Sequence, residues 1–447
     1  MRCIALLRCA VAAGAALASL VHAEPPNRYP LAEDLPAFEA PASPSAPAEP
    51  EPAEPRGELA LGDALALALL HNPELAVDSF EQRAREAAAL QAGVRPNPTL
   101  SIELEDFAGS GAFRGARRAQ TTLLLGQLVE LGGKRAARAL LAQADVDVAA
   151  WDYELRRIDV LSRTSDAFIE LLAAQERLEL ADEALALARK VERVAGLRRR
   201  AGMASPAEEI RAGVAADVAG VEREHTQHGL ATARQALAAM WAGEASFTRA
   251  LGDLAQLPKP PRRAEIASRL AASPGVARWQ AELARREAAR ALVRSGRTPD
   301  LAVTAGTRHL AGSDDVALVV GVSVPLPLFD RKAGAIAESE LRIAKLAAEQ
   351  RAQRVRIATA LNAAQLALIA SIEEAKLLRE RVLPGIERAA QVMQRGYEEG
   401  RFAQIEVLET ERARAEAREQ TLRALVEAHH NAREIERLTG VALEVQP

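Results

Sequence analysis

About 390 residues of this 447-residue chain are written twice, so whatever the first half folds into, the second must fold into as well. Asn72-Pro73-Glu74 returns as Ser273-Pro274-Gly275, and Arg95-Pro96-Asn97-Pro98-Thr99-Leu100 as Arg297-Thr298-Pro299-Asp300-Leu301, with matching prolines 201 positions apart. Leu131-Gly132-Gly133-Lys134-Arg135 is answered by Leu328-Phe329-Asp330-Arg331-Lys332 after 197 positions. Gly202 matches Gly400, and Met240-Trp241-Ala242 matches Leu438-Thr439-Gly440, both after 198. The offset drifts between the prolines and the Gly-Gly turn, where a loop can change length. The repeats are assigned to 58–245 and 265–445, with a linker over 246–264.

Each copy reads helix, hairpin, long helix, tight turn, helix. The first helix is expected from about Leu61 to Gly93, where Pro96 and Pro98 stop it. The apolar period then changes from 3.6 to 2: Leu100, Ile102 and Leu104 alternate with Thr99, Ser101, Glu103 and Glu105. The first hairpin falls at about 98–131 and the second at about 299–325, where Val316, Leu318, Val320, Val322 and Val324 share one face. Lys134 to Arg200 follows without a proline, and at about 1.5 Å per residue such a helix measures about 100 Å. Its counterpart, Arg331 to Arg395, is interrupted only by Pro384-Gly385. Globular helices average about 11–12 residues, so these belong to a coiled coil or a helical tube. The return helices, Pro206 to Trp241 and about Phe402 to Thr439, are half as long, as are the entering ones. Two short helices stacked end to end beside each long one account for these lengths. Both hairpins then lie at one end and the turns, about 200–205 and 396–402, at the other.

The fold class is therefore mainly α with a small β part: long antiparallel helical hairpins and four strands per chain. Two hairpins with apolar outer faces are not stable alone in water. They can pair within the chain into a small sheet or join other chains in a closed barrel, and the long helices, which need more walls than one chain offers, favour the second. Three chains supply 12 strands and 12 helical walls. A periplasmic coiled-coil protein with a small β cap is the competing architecture.

The N-terminus names a compartment. Arg2 and Arg8 precede an apolar stretch from Ala10 to Leu20, and Val21-His22-Ala23 ends it with small residues at a cleavage site, the pattern of a signal peptide over 1–23. Both cysteines, Cys3 and Cys9, lie inside it, so the mature chain is expected to lack thiols, disulfides and an N-terminal lipid anchor. Residues 24–57 hold ten of the 23 prolines and are expected to be a disordered Pro/Glu-rich extension. No later stretch has 18 consecutive apolar residues, so contact with a membrane has to come from strands closed into a barrel. The net charge of −4, with cations and anions interspersed, carries no nucleic-acid footprint.

Asn-Pro-Glu-Leu at 72–75, Arg-Pro-Asn-Pro-Thr-Leu at 95–100 and Gln-Leu-Val-Glu-Leu-Gly-Gly-Lys-Arg at 127–135 carry a family resemblance. With the tips Ala201-Gly202-Met203-Ala204-Ser205-Pro206 and Glu399-Gly400-Arg401-Phe402, the chain resembles the TolC-like outer-membrane factors over about 58–445. It looks most like the branch serving cobalt–zinc–cadmium-type heavy-metal efflux. The resemblance implies a homotrimer held in outer-membrane lipid of a Gram-negative bacterium by a 12-stranded barrel, with a helical tunnel in the periplasm. It implies docking of the tip on a periplasmic adaptor coupled to an inner-membrane RND-type pump. The matching tip positions are Arg200, Gly202, Met203 and Ser205 in the first copy and Gly400, Arg401 and Phe402 in the second. Glu387, Arg395, Glu398 and Glu399 are candidate gate residues near that end. The same fold can serve drug or protein export. Many relatives carry a lipidated N-terminal cysteine; here anchoring is expected from the barrel alone.

No arrangement points to catalysis. There is no G-x-S-x-G, phosphate loop or H-E-x-x-H, and the abundant carboxylates are explained by i, i+4 pairing with Arg and Lys. His225 and His228, near Glu222 and Glu224, have a spacing that can hold a metal, and an exposed charged helix face explains them as well. His429 and His430 are adjacent and face different directions. The expectation is a passive conduit, not an enzyme, with no cofactor.

Overall fold

The computed structural model describes residues 29–41 and 54–444. The leader expected over 1–23 lies outside the described residues, as do 24–28 and 42–53 of the extension. In order, the elements are β1 (Gly57–Ala60), α1 (Leu61–His71), α2 (Pro73–Ala92), β2 (Thr99–Glu105), β3 (Gln120–Val129), α3 (Lys134–Arg200) and α4 (Pro206–Ala238). There follow β4 (Phe247–Leu251), α5 (Arg263–Ala271), α6 (Pro274–Ser295), β5 (Leu301–Leu310), β6 (Asp315–Ser323), α7 (Ala333–Leu377), α8 (Leu383–Glu398) and α9 (Gln404–Thr439). The described residues divide into two compact units, one of 84–150 with 278–348 and the other of 29–41, 54–83, 151–277 and 349–444.

The first unit holds the hairpins. They join edge to edge in one antiparallel sheet of order β2-β3-β5-β6, with the β3–β5 seam running from Gln120 opposite Leu310 to Val129 opposite Leu301. The registers carry the two-residue alternation across all four strands. Leu100, Ile102, Leu104, Leu123, Leu125, Val303, Val320 and Val322 fall on one face, and Ser101, Glu103, Glu105, Thr122, Thr304 and Arg308 on the other. On the polar face Arg308 donates to Thr122 Oγ1 at 2.9 Å and to Gln120 Oε1 at 3.2 Å. The apolar face is open: Leu318 is 78% and Ile102 69% exposed. Neither outer edge, β2 nor β6, has a strand partner among the described residues.

The second unit contains the main core. Phe168, Leu171 and Leu172 of α3 meet Leu237 and Trp241, then Leu361, Leu368 and Ile372 of α7 and Leu422, Leu425 and Ile435 of α9. The stretch Ala333–Glu398 is long and apolar enough to cross a membrane by length and composition. Its residues Ile357, Leu361, Ala364, Leu368, Ile372 and Ala375 are buried in this core, whereas Leu341, Val355 and Leu366 are exposed.

Three local expectations change. Residues 29–41, given as disordered by composition, pack on the second unit: Arg157 donates to the carbonyls of Tyr29 at 3.1 Å and Leu31 at 2.8 Å, and Tyr153 to that of Phe38 at 2.6 Å. Apolar packing joins these bonds: Leu31, Leu35 and Ala37 pack against the cluster of Ala68, Leu69, Leu75, Val160 and Leu161, and Ala40 is buried. The entering helix does not run unbroken from 61 to 93. Asn72 interrupts it, its side-chain oxygen accepting the amides of Glu74 and Leu75, because Pro73 cannot continue the ladder but suits a first helical position. The stretch 246–264 is more than a linker, since β4 pairs in parallel with β1. The interruption expected at Pro384-Gly385 takes the form of a π turn over Leu378–Val382 between α7 and α8, since Pro384 has no amide to donate.

Candidate functional site

The tip of the second unit is two helical turns closed by different devices. At the end of α3, the Gly202 amide donates to the Arg199 carbonyl at 2.9 Å and the Met203 amide to that of Arg198 at 2.8 Å. Gly202 has φ +72°, a conformation that costs a residue with a Cβ about 1 kcal/mol or more. Ser205 caps α4, its hydroxyl accepting the Glu208 amide at 3.3 Å with Pro206 in the first helical position. Arg200 and Met203 stand exposed at the apex.

The second turn folds back on itself. Gly400, at φ +78°, leads into Arg401, whose amide donates to the Gly396 carbonyl at 2.7 Å. The Phe402 ring lies on Gly396 so closely that a Cβ there would sit 2.1 Å from the ring. Phe402 is thus half-buried against α8, and Arg401 remains exposed and pairs with Glu399.

The candidate gate residues separate. Glu398 pairs with Lys190 of α3 at 3.0 Å, both side chains about half exposed. Glu387 shares Arg418 of α9 with Glu183, its own contact being 3.1 Å. Arg395 makes no side-chain ion pair among the described residues. What the sequence reading missed lies beside it: Arg198 of α3 stacks over the Tyr397 ring of α8 at 4.6 Å and donates to the Tyr397 carbonyl at 2.9 Å. Tyr397 is buried with Val191, Ala195, Ala212 and Val407, and burial pushes its hydroxyl pKa up against the opposing pull of Arg198. The signal available was an isolated aromatic three residues before the matched Gly400, in a chain that is 3% aromatic.

The histidines fall in two places. His225 and His228 are exposed on α4, and no group of three or more His, Cys, Asp or Glu side chains among the described residues is arranged to hold a metal ion. His430 of α9 lies between two carboxylates of α3, Nδ1 2.8 Å from Asp166 and Nε2 2.9 Å from Glu170. Hydrogen bonding to Asp166 leads in raising its pKa. His429 faces the other way, toward the Leu254 carbonyl at 3.0 Å, and burial lowers its pKa.

A family model described as outer membrane efflux protein matches residues 64–243 and 266–441. The cobalt-zinc-cadmium resistance protein CzcC of Cupriavidus metallidurans is 34% identical over 391 residues, spanning 87% of this chain and 92% of CzcC. The fold is shared with CusC, at a TM-score of 0.72 and 15% identity over 90% of this chain and 98% of that one. It is shared equally with the outer membrane protein VceC of Vibrio cholerae, at 0.71 and 18% identity over 86% and 97%. Tandem matches over most of the chain, on long helices and two paired hairpins, place it plainly: this chain belongs to the outer membrane efflux protein family.

Proposed function

We propose that the chain is one third of a trimeric outer-membrane duct, the passive exit of a tripartite efflux system for divalent heavy-metal cations. The observation that carries this reading is the open sheet, whose edges β2 and β6 are unpaired among the described residues and whose apolar face is exposed. Such a sheet is a liability in water, and in a bilayer every backbone polar group has to be paired, so the sheet must close. Three copies with β6 of one beside β2 of the next give a 12-stranded barrel. The repeat makes the β3–β5 seam within one chain the template for the seam between chains. Ile210, Val214, Val218 and Val221, 57–70% exposed along one side of α4, offer a second apolar face to a neighbouring copy.

The helical tips then project into the periplasm and dock on an adaptor, with Arg200, Met203, Ser205 and Arg401 at the contact and Gly202, Gly400 and Phe402 shaping it. An RND-type inner-membrane pump supplies the energy. Divalent cations as cargo rest on the likeness to CzcC and on the sequence motifs at 95–100 and 127–135. The tip opens by separating α3 from α8. Arg198 with Tyr397, and Lys190 with Glu398, hold it shut. The exposed Lys190–Glu398 pair contributes about 0–1 kcal/mol and the Arg198–Tyr397 contact about 1–2 kcal/mol, so the closed state yields to a modest pull from a docked partner.

Membrane fractionation with unheated and heated gel migration of the detergent-extracted protein tests the duct. Outer-membrane recovery with a heat-sensitive, trimer-sized band is the expected result; a periplasmic protein with no detergent requirement would overturn it. Loss of zinc, cobalt or cadmium tolerance on deletion, restored by the gene, tests the cargo, and unchanged tolerance to all three would reject it.

A further inference from the structure

The two motifs that the tip does not use, Arg95-Pro96 and Gln127 to Arg135, meet in the first unit. They line a cavity of about 530 Å³ where β3 gives way to α3. Its walls include Arg95, Gln127, Lys134 and Arg135, with one carboxylate, Glu130, among them. The acids nearby are already committed. Glu130 takes both nitrogens of Arg138, at 2.6 and 3.1 Å, and Asp300 takes Lys134 at 2.7 Å together with the Leu131 amide. Hydrogen bonding to Arg138 holds the Glu130 carboxyl below the usual range, so it stays ionised and bound to that partner. Arg95 and Arg135 are exposed, and neither side chain makes a hydrogen bond or close ion pair among the described residues, Arg135 acting on Glu130 only through its charge. The cluster thus sets four cations against two carboxylates, with two guanidiniums available to a ligand. The first turn of α3 has no acidic side chain to offset them.

Apolar surface borders this charge. Val94 is 50% exposed, and Leu128, Val129 and Leu131 are each about 40% exposed. The apolar face of the sheet ends at Val129 and Leu301, and the cations begin immediately after it. A cavity with guanidinium walls and an apolar rim, at the end of a lipid-facing sheet, suits a phosphate that carries acyl chains.

We propose that this cavity binds the phosphate of an anionic glycerophospholipid in the periplasmic leaflet of the outer membrane, with Arg95 and Arg135 as its ligands. The proposal rests on the barrel reading above. A lipid seated there fixes the depth of the sheet in the bilayer and covers the junction on which α3 stands.

The test uses purified full-length protein in detergent, with native mass spectrometry of dioleoylphosphatidylglycerol against dioleoylphosphatidylcholine at equal concentration. At about 1 kcal/mol per cation near a lipid surface, two guanidiniums give the wild type a preference of about tenfold or more for phosphatidylglycerol. R95A/R135A is expected to bind the two lipids equally, and R95K/R135K, which keeps the charge, to retain part of the preference. Equal binding by the wild type, or an unchanged preference in R95A/R135A, overturns the proposal. Titration with inorganic phosphate separates the sources: saturable binding as tight as that of the lipid, lost in R95A/R135A, makes this a free-anion site and rejects the lipid. Each preparation is checked for the heat-sensitive trimer band. A wild type without that band ends the duct reading and this proposal with it, whereas a trimer with no lipid preference ends this proposal alone.

Discussion

Arg198 and Tyr397 are 199 residues apart, yet the guanidinium of one lies 4.6 Å from the ring centre of the other and donates to its carbonyl. The contact ties the end of α3 to the end of α8 beneath both turns of the tip. With the Tyr397 ring buried and Arg198 half-buried, this cation–π contact contributes about 1–2 kcal/mol, more than the half-exposed Lys190–Glu398 pair.

Tyr397→Ala and Arg198→Ala are therefore expected to raise the open fraction of single channels in planar bilayers by about tenfold, equivalent to about 1.4 kcal/mol. Tyr397→Phe, which keeps the ring, should stay near wild type. Glu398→Ala should give a smaller increase, and Arg395→Ala, with no ion pair to lose, none. Equal conductance in all these variants would remove the latch.

Arg157 is the most deeply buried cation among the described residues and holds Glu154 at 2.7 Å as well as the carbonyls of the 29–32 segment. Glu154 in turn accepts the Tyr29 amide at 2.9 Å, and burial with the nearby Glu154 charge pushes the Tyr29 hydroxyl up to about 12. Arg157→Ala leaves a buried carboxylate without its counter-charge, a loss of about 3–5 kcal/mol. Limited proteolysis should then cut within 29–41 at protease levels that spare the wild type. An identical digestion pattern would show that the segment is held by other contacts.

If β6 of one copy closes against β2 of the next, cysteines on their apolar faces come within disulfide reach, with Cα atoms about 4.4–6.8 Å apart. The sequence has only Cys3 and Cys9, both in the expected leader, so introduced thiols have no competitors in a processed chain. Leu104→Cys, combined in turn with Leu318→Cys, Val320→Cys or Val322→Cys on the same face, should give dimer and trimer bands on oxidation for one pairing. No single variant should do so. Monomer alone from every combination would contradict closure between copies.

His430 lies between Asp166 and Glu170, with Arg437 on its own helix and His429 beside it. Its folded pKa is raised above the unfolded value, so its stabilisation is fully present below about pH 6.5 and lost as pH rises through the folded value. His430→Gln should consequently lower the unfolding temperature more at pH 6 than at pH 9. An equal loss at both would show that the charge on the imidazole contributes nothing.

Some of this was legible in the sequence because it depends on near neighbours along the chain. Leu100, Ile102 and Leu104 alternate with polar residues, and the pleat sends them to one face. Ser205-Pro206 starts a helix because a hydroxyl and a ring of fixed φ act within four residues. The proline-free run from Lys134 to Arg200 forms a single helix for the same local reason.

Other features depend on partners that no local pattern names. Arg157 reads as one more surface cation on a helix until residues 29–32 arrive to bury it, about 126 positions away. Phe247–Leu251 is too short to announce a strand, and becomes one because Gly57–Ala60 is brought alongside. Composition gave 29–41 as disordered because the prolines and acids around them mask a few apolar side chains, Leu31, Leu35 and Ala37, which pack on a cluster formed by distant parts of the chain. Periodicity and capping act over one helical turn or two strand residues, and these the sequence determined by itself. Which distant side chain shields a charge, pairs an edge or closes the tip was decided only when tertiary contact removed water from between them.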